Sequence, residues 1–125
     1  MEFLLVFLGG GLGSALRHAV NVAAARLLTD PLPWGTLCIN VLGSFCMGMV
    51  AEFFSLRLGL PQHLRLFLTT GIIGGFTTFS TFSLEAMVLH QRGQTALAAG
   101  YVAASVTLGI GALWLGMALV RLLLK

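Results

Sequence analysis

Aromatic and hydroxyl side chains alternate in the segment 71–83, inside a long apolar stretch of the chain. Phenylalanine recurs there at every third position, and a hydroxyl residue follows each ring directly; the pairs are Phe76-Thr77, Phe79-Ser80 and Phe82-Ser83. A phenyl ring has a positive edge that attracts an anion, and a hydroxyl group donates hydrogen bonds to one. Phe79 and Phe82 lie about 60° apart around a helix, so their rings can border one narrow path. The pattern favours contact with a small anion.

The same segment is predicted to interrupt its own helix. It holds three glycines and five hydroxyl residues, and both glycine and β-branched threonine weaken helices. We place the break near 74–80. Inside a membrane such a break is tolerated only where it is buried in protein or lines a polar cavity, and its backbone groups often bind ions. The alternative is an unbroken helix whose hydroxyls bond to the carbonyls four residues earlier and whose rings face lipid.

Further polar residues lie inside other apolar stretches. The Asn40 amide is costly to bury unless it is hydrogen-bonded; its NH2 group suits an anion, and bonding between helices is the equally weighted alternative. Tyr101, Ser105 and Gly109 form a line at four-residue spacing along one helix face. Arg17 is expected to serve the structure, by bonding backbone carbonyls or by capping a helix end.

Composition and length define the fold class. Of 125 residues, 58% are hydrophobic and only 9% are charged, which leaves too little polar surface for a soluble domain of this size. A helix needs about 20 residues to cross a bilayer core. Four stretches satisfy this, and we predict helices at 3–28, 34–56, 63–89 and 95–124. The chain is therefore expected to be an all-α membrane protein with a single transmembrane domain, 1–125, whose consecutive helices pack as antiparallel neighbours.

The charged residues bear on partners and orientation. Basic residues are scattered rather than clustered, which argues against nucleic acid as a partner, and Glu52 and Glu85 are expected to face water near helix ends. The two membrane sides carry nearly equal positive charge; one side has Arg57, Arg65, Arg121 and Lys125, and the other has Arg26, Arg92 and Arg17. The positive-inside rule thus gives little preference. Insertion in one orientation and insertion in both, with head-to-tail pairing, remain open.

Four helices leave little space for a polar path within one chain, so a two-fold dimer is predicted. Small residues at four-residue spacing indicate where helices approach closely. Such pairs occur at Gly9 and Gly13, Ser44 and Gly48, Gly71 and Gly75, and Ala112 and Gly116.

Three motifs, one in each of the first three predicted helices, match a known family. They are Gly9-Gly10-Gly11-x-Gly13-Ser14-x-x-Arg17, then Gly35-Thr36-Leu37-x-x-Asn40-x-x-Gly43-Ser44-Phe45, and finally Gly71-x-x-Gly74-Gly75-Phe76-Thr77-Thr78-Phe79-Ser80-Thr81-Phe82. On these residues the chain resembles the Fluc (CrcB) family of fluoride channels over nearly its whole length. The third motif is the most specific, because its length and unusual composition make chance agreement improbable.

The resemblance implies a function and an assembly. The expected protein is a passive, fluoride-selective channel and not an enzyme. It would export cytoplasmic fluoride across the plasma (inner) membrane of a bacterium or archaeon, as an antiparallel, dual-topology homodimer with two pores.

The resemblance also implies roles for individual residues. The fluoride pathway would include Asn40, Phe79, Phe82, Ser80, Thr81, Tyr101 and Ser105. Gly109 stands where the family often has another hydroxyl. The backbone carbonyls of Gly74 and Thr77 would hold a structural sodium ion at the dimer centre, since two carbonyls from each protomer give four oxygens for a hard cation.

Two other functions fit a chain of this size. A small dual-topology multidrug exporter needs an embedded carboxylate on its first helix, where this chain has only Glu2 at the very start. An accessory membrane subunit explains the glycines but not a broken third helix beside Asn40. An enzyme is disfavoured, because no base lies near the hydroxyls in sequence and no metal-ligand cluster is present.

Overall fold

The computed structural model describes all 125 residues and consists of helices joined by short connections. Three helices are continuous; they are α1 (Glu2–Leu27), α2 (Trp34–Leu56) and α6 (Thr95–Leu123). The third span, Gln62–Gln91, is divided into α3 (Gln62–Leu66), a π-helical segment (Phe67–Ile73), α4 (Gly74–Phe76) and α5 (Phe79–Gln91). The prediction of four helices long and apolar enough to cross a membrane is confirmed.

The outer surface of the bundle is apolar. Only 18 of the 125 residues are buried within the chain, while large side chains such as Phe3, Ile110 and Leu122 are mostly exposed. In water, each exposed apolar Å² costs about 25 cal/mol, so a surface of this kind is stable only in hydrocarbon or against another protein. The chain is a multi-pass membrane protein.

Glycines bring α1 against the third span. A Cβ atom at Gly9 would lie 2.8 Å from the Phe67 carbonyl oxygen and 2.9 Å from the Gly71 Cα, and one at Gly13 would overlap the Ile72 carbonyl oxygen. Residues with higher numbers in α1 contact residues with higher numbers in the third span, so these two elements run in the same direction. Only glycine allows this approach, because any side chain would push the two backbones apart.

The second close pair is α2 with α6. A Cβ at Gly48 would overlap the Leu113 carbonyl oxygen, and a Cβ at Gly116 would overlap the Phe45 carbonyl oxygen. These two helices also run in the same direction. Near their C-terminal ends, Arg121 donates to both carboxylate oxygens of Glu52, at 2.6 Å and 3.2 Å. The backbone contact and the ion pair together hold α2 and α6 in register.

The tightest pairs are therefore parallel helices that are not consecutive in sequence. The expected contacts between consecutive, antiparallel helices are also present, for example between α1 and α2 and between α5 and α6, but they are less extensive. Short connections determine only that consecutive helices reverse direction. The glycine pairs determine which backbones approach closely, and they join the first helix to the third span and the second to the fourth.

Candidate functional site

The third span is interrupted between α4 and α5. Thr77 (φ −77°, ψ 156°) and Thr78 (φ −151°, ψ 113°) have extended backbones, and helix resumes at Phe79. The Thr78 hydroxyl caps the new helix, because its Oγ1 accepts the Thr81 N–H at 3.2 Å. A side-chain oxygen at this position replaces a missing helical acceptor.

Asn40 of α2 completes the backbone hydrogen bonding of Thr78. Its Nδ2–H donates to the Thr78 carbonyl at 3.0 Å, and its Oδ1 accepts the Thr78 N–H at 2.8 Å. One amide side chain thus satisfies both polar groups of a residue that is only 6% exposed. Primary amides have a second N–H, and that of Asn40 makes no hydrogen bond within the chain. Asn40 joins two helices and keeps one donor free.

These side-chain contacts leave two backbone carbonyls without their helical donors. In a regular helix the Gly74 carbonyl would accept the Thr78 N–H, and the Thr77 carbonyl would accept the Thr81 N–H. Asn40 and the Thr78 hydroxyl take those two N–H groups instead. The Gly74 carbonyl oxygen is consequently available to another partner, and the Thr77 carbonyl oxygen has only the Arg17 guanidinium nearby, at 3.5 Å.

The first helix supplies polar contacts to the same region. The Arg17 guanidinium lies 3.5 Å from the Thr77 carbonyl oxygen, and the Ser14 hydroxyl donates to the Gly75 carbonyl at 3.4 Å. Both distances are long for hydrogen bonds, so each contact is weak. Arg17 nevertheless brings a fixed positive charge next to the interruption.

An open cavity of about 400 Å³ lies beside the interruption, between α2, α5 and α6. Four of the predicted pathway residues line it: Asn40, Phe79, Phe82 and Ser105. Ser44, Thr77, Thr78 and Gly109 line it as well. The Ser105 hydroxyl is buried and has no hydrogen-bond partner, which is unusual for a buried polar atom. Chain segments far apart in sequence thus bring unused donors to one region of the structure.

Phe79 and Phe82, the phenyl row, line this cavity, and Tyr101 continues the row of rings outside it. The ring centroids of Phe79 and Phe82 are 5.6 Å apart, and those of Phe82 and Tyr101 are 5.2 Å apart, with the rings tilted to each other by 53° and 60°. Phe82 is buried at 8% exposure, whereas Phe79 is 79% exposed at the surface of the chain. Tilted rings present edges as well as faces, as an anion requires.

The other predicted pathway residues lie outside the cavity. Ser80 is exposed in the first turn of α5, and its hydroxyl is 3.5 Å from that of Thr78. Thr81 is half-buried and accepts a hydrogen bond from the Thr78 hydroxyl at 3.1 Å. Tyr101 is buried beyond Phe82, and its hydroxyl points away from the cavity to Glu85.

Glu85 is the polar residue that sequence reasoning missed. Its carboxylate accepts the Thr36 hydroxyl at 2.8 Å and the Tyr101 hydroxyl at 3.0 Å. With Thr36 and Asn21 it lines a separate polar cavity of about 160 Å³. Glu85 is half-buried and its cavity is open, so its access to water stays a prediction, but the two hydroxyl partners were not expected. An ionisable residue within a membrane helix is by default a functional candidate, and this signal was present in the sequence.

Glu52, by contrast, is not directed to water, so the expectation for this residue is wrong. It is 5% exposed and is bound by Arg121, so its position near the end of α2 was misleading. The partner comes from α6, 69 residues away, and nothing local in the sequence of α2 indicates it.

The family model described as "CrcB-like protein, Camphor Resistance (CrcB)" matches residues 4–117 of this chain. Named relatives are similar over their full lengths. A protein of Granulibacter bethesdensis named "Fluoride-specific ion channel FluC" is 58% identical over 125 residues, covering 100% of this chain and 98% of the relative. Proteins with the same name from Rhodopseudomonas palustris and Methylobacterium nodulans are 53% and 57% identical, each covering 97% of this chain and, respectively, 98% and 97% of the relative.

Proposed function

This chain belongs to the CrcB family, and we propose on that premise that it is a fluoride-selective ion channel. Transport would be passive, down the electrochemical gradient, and in the cell would carry cytoplasmic fluoride outward. The relatives named as fluoride-specific channels match the chain from end to end, so the proposal covers the whole molecule.

The observation that carries the proposal is the cavity beside the interruption. Its lining combines the rings of Phe79 and Phe82 with Asn40, which has one unpaired N–H, and with Ser105, whose hydroxyl is unpaired. Fluoride is small and strongly hydrated, so it leaves water only where other donors replace its hydration shell. Donors that are buried without a protein partner suit this role, because an entering anion satisfies them.

We assign the remaining pathway residues to the two ends of this cavity. Ser80 and Thr81 lie at the start of α5, where their hydroxyls surround Thr78. Tyr101 lies at the other side of Phe82, beside Glu85 and Thr36. An ion moving past the phenyl row would pass from one group of hydroxyls to the other.

The functional unit is proposed to be an antiparallel homodimer with two pores. The cavity is open, and Phe79 at its edge is 79% exposed, so a single chain does not enclose an ion path. A second copy would supply the missing wall. The near balance of basic residues between the two sides allows both orientations to insert. We place this dimer in the plasma (inner) membrane, with the interruption at mid-membrane.

A structural sodium ion is proposed at the dimer centre, held by the carbonyls of Gly74 and Thr77. What supports it is the loss of helical donors at both carbonyls, together with the exposure of Gly74 at the surface of the chain. Carbonyl oxygens suit hard cations, and a buried cation raises the local potential in favour of anions. Replacing Na⁺ by a bulky organic cation should lower the thermal stability of the purified dimer; an unchanged melting temperature would exclude the site.

Reconstitution of the purified protein tests the channel function. Liposomes are loaded with fluoride or with chloride, and efflux is followed with ion-selective electrodes after a potassium ionophore removes the opposing voltage. The proposal expects rapid fluoride release and chloride release near that of protein-free liposomes. Equal release of both anions, or no fluoride release from folded protein, would refute it.

A further inference from the structure

Ser44 on α2 lines the same cavity as Phe79 and Phe82. It is half-buried and lines the cavity together with Asn40, one helical turn before it, and with Ser105 and Gly109 of α6. A Cβ atom at Gly109 would lie 3.7 Å from the Ser44 Oγ, which is an ordinary contact distance. The absence of a side chain at Gly109 therefore leaves the Ser44 hydroxyl open to the cavity.

The Ser44 hydroxyl is unused within the chain. Hydroxyls in apolar helices commonly bond to the carbonyl four residues earlier, and Thr69, Thr77 and Ser83 do so here at 2.9–3.0 Å. Ser44 makes no such bond to the Asn40 carbonyl, nor does it bond to a side chain. A half-buried donor without a partner is costly unless something in the cavity accepts its hydrogen.

Because α2 and α6 pack in parallel, their packing determines which α6 residues lie beside the Ser44 hydroxyl. Residues four apart on each helix share a face, so Asn40 and Ser44 on α2 stand opposite Ser105 and Gly109 on α6. Asn40, Ser44 and Ser105 then provide three donors without protein partners around the cavity. Gly109, at the fourth of these positions, has no side chain and so provides no donor, and it leaves the Ser44 hydroxyl uncovered.

We propose that Ser44 is a fluoride-binding residue, whose hydroxyl donates to the anion one helical turn beyond Asn40 and serves the level of the cavity at which α6 has only Gly109. This inference rests on the proposed channel function. Beside Gly109, where α6 has no donor, the donor to fluoride would then come from α2.

Fluoride efflux from liposomes, measured at low fluoride, tests the assignment with Ser44→Ala. The expected rate is about tenfold below that of the unaltered protein, as for loss of one hydrogen bond to a charged group. The matched control is Ser55→Ala, the same change on an exposed residue at the end of the same helix, and it should leave the rate unchanged. Elution of each variant as the same oligomer verifies its folding.

A second substitution separates binding from structural support. In Ser44→Ala/Gly109→Ser the hydroxyl returns from α6, at a position where a Cβ fits, and the rate should recover to within about threefold of the unaltered protein. The inference is overturned if Ser44→Ala transports normally, or if the double variant is no faster than Ser44→Ala alone. Absence of fluoride transport by the unaltered protein would instead refute the channel function itself.

Discussion

At the scale of single residues, the observed pairing of Asn40 with Thr78 is compatible with its proposed contact to an anion. Its carbonyl oxygen and one N–H pair with the backbone of Thr78, while the other N–H remains directed to no protein group. The alternatives posed by the sequence, bonding between helices or donation to an anion, are thus not exclusive. A primary amide is the side chain that can accept once and donate twice from a single group.

Asn40→Asp is expected to lower both stability and transport. The carboxylate keeps an acceptor for the Thr78 N–H but has no donor for the Thr78 carbonyl, at a cost of about 1–3 kcal/mol of stability. Thermal unfolding in detergent measures the stability loss, and liposome efflux measures transport. The control is Gln91→Glu, the same amide-to-carboxylate change on an exposed residue whose side chain makes no hydrogen bond within the chain. A variant at position 40 as stable as that control would contradict the pairing.

Phe79→Ile and Phe82→Ile are each expected to cut fluoride efflux by about tenfold or more without preventing oligomer assembly. Isoleucine retains apolar bulk but has no positive ring edge, and an interaction of about 1.4 kcal/mol corresponds to a tenfold change in rate. Efflux followed with a fluoride electrode gives the rates, with Phe3→Ile, on a residue 93% exposed, as the matched control. Normal rates in both pathway variants would defeat the ring-edge account.

At the scale of helices, the arrangement depends on where backbones touch. The glycines of α1 face those of the third span, and Gly48 and Gly116 join α2 to α6. Without a hydrophobic driving force between helices in lipid, close van der Waals packing and hydrogen bonds supply the association. The first pair holds the interrupted span in place. The second aligns Asn40 and Ser44 with Ser105 across the cavity.

Gly13→Ala and Gly11→Ala distinguish packing from helix propensity. The Cβ at position 13 would overlap the Ile72 carbonyl oxygen and lie 2.8 Å from the Phe76 nitrogen, whereas nothing lies within 4 Å of a Cβ at position 11. We expect Gly13→Ala to destabilise the fold by about 1–3 kcal/mol. Gly11→Ala should be neutral or slightly stabilising, because alanine favours helix. The fraction of protein that remains oligomeric after heating reports both, and equal behaviour of the two would exclude the close approach.

At the scale of the whole molecule, a single chain does not enclose the cavity that is proposed to hold the ion. Its cavity opens to the outside, and its apolar surface extends around the bundle. A partner in the opposite orientation would close the cavity and repeat it on the other face. The four and three basic residues on the two sides impose little preference that would oppose such pairing.

Neutralising Arg26 and Arg92 tests whether the chain inserts into the membrane in both orientations. The double variant Arg26→Gln/Arg92→Gln leaves four basic residues on one side and Arg17 on the other, so most chains should insert one way. Reporter fusions after Lys125 would shift from mixed to single orientation, and fluoride efflux should fall because opposite partners are scarce. Coexpression with Arg57→Gln/Arg65→Gln/Lys125→Gln, which leaves Arg121 alone on one side and three basic residues on the other, should restore transport. Full activity from chains of one orientation would contradict the antiparallel assembly.

The sequence by itself determined the local features of this protein. Apolar stretches of bilayer length defined the four spans, and the ring and hydroxyl repeat marked the segment around Phe79, because hydropathy and residue spacing act within one element. The tertiary structure decided which elements meet. It paired Asn40 with Thr78 across 38 residues, buried Glu52 beside Arg121, and bound Glu85 to Thr36 and Tyr101. Such contacts depend on which helix faces approach one another, and no spacing within a single helix contains that information.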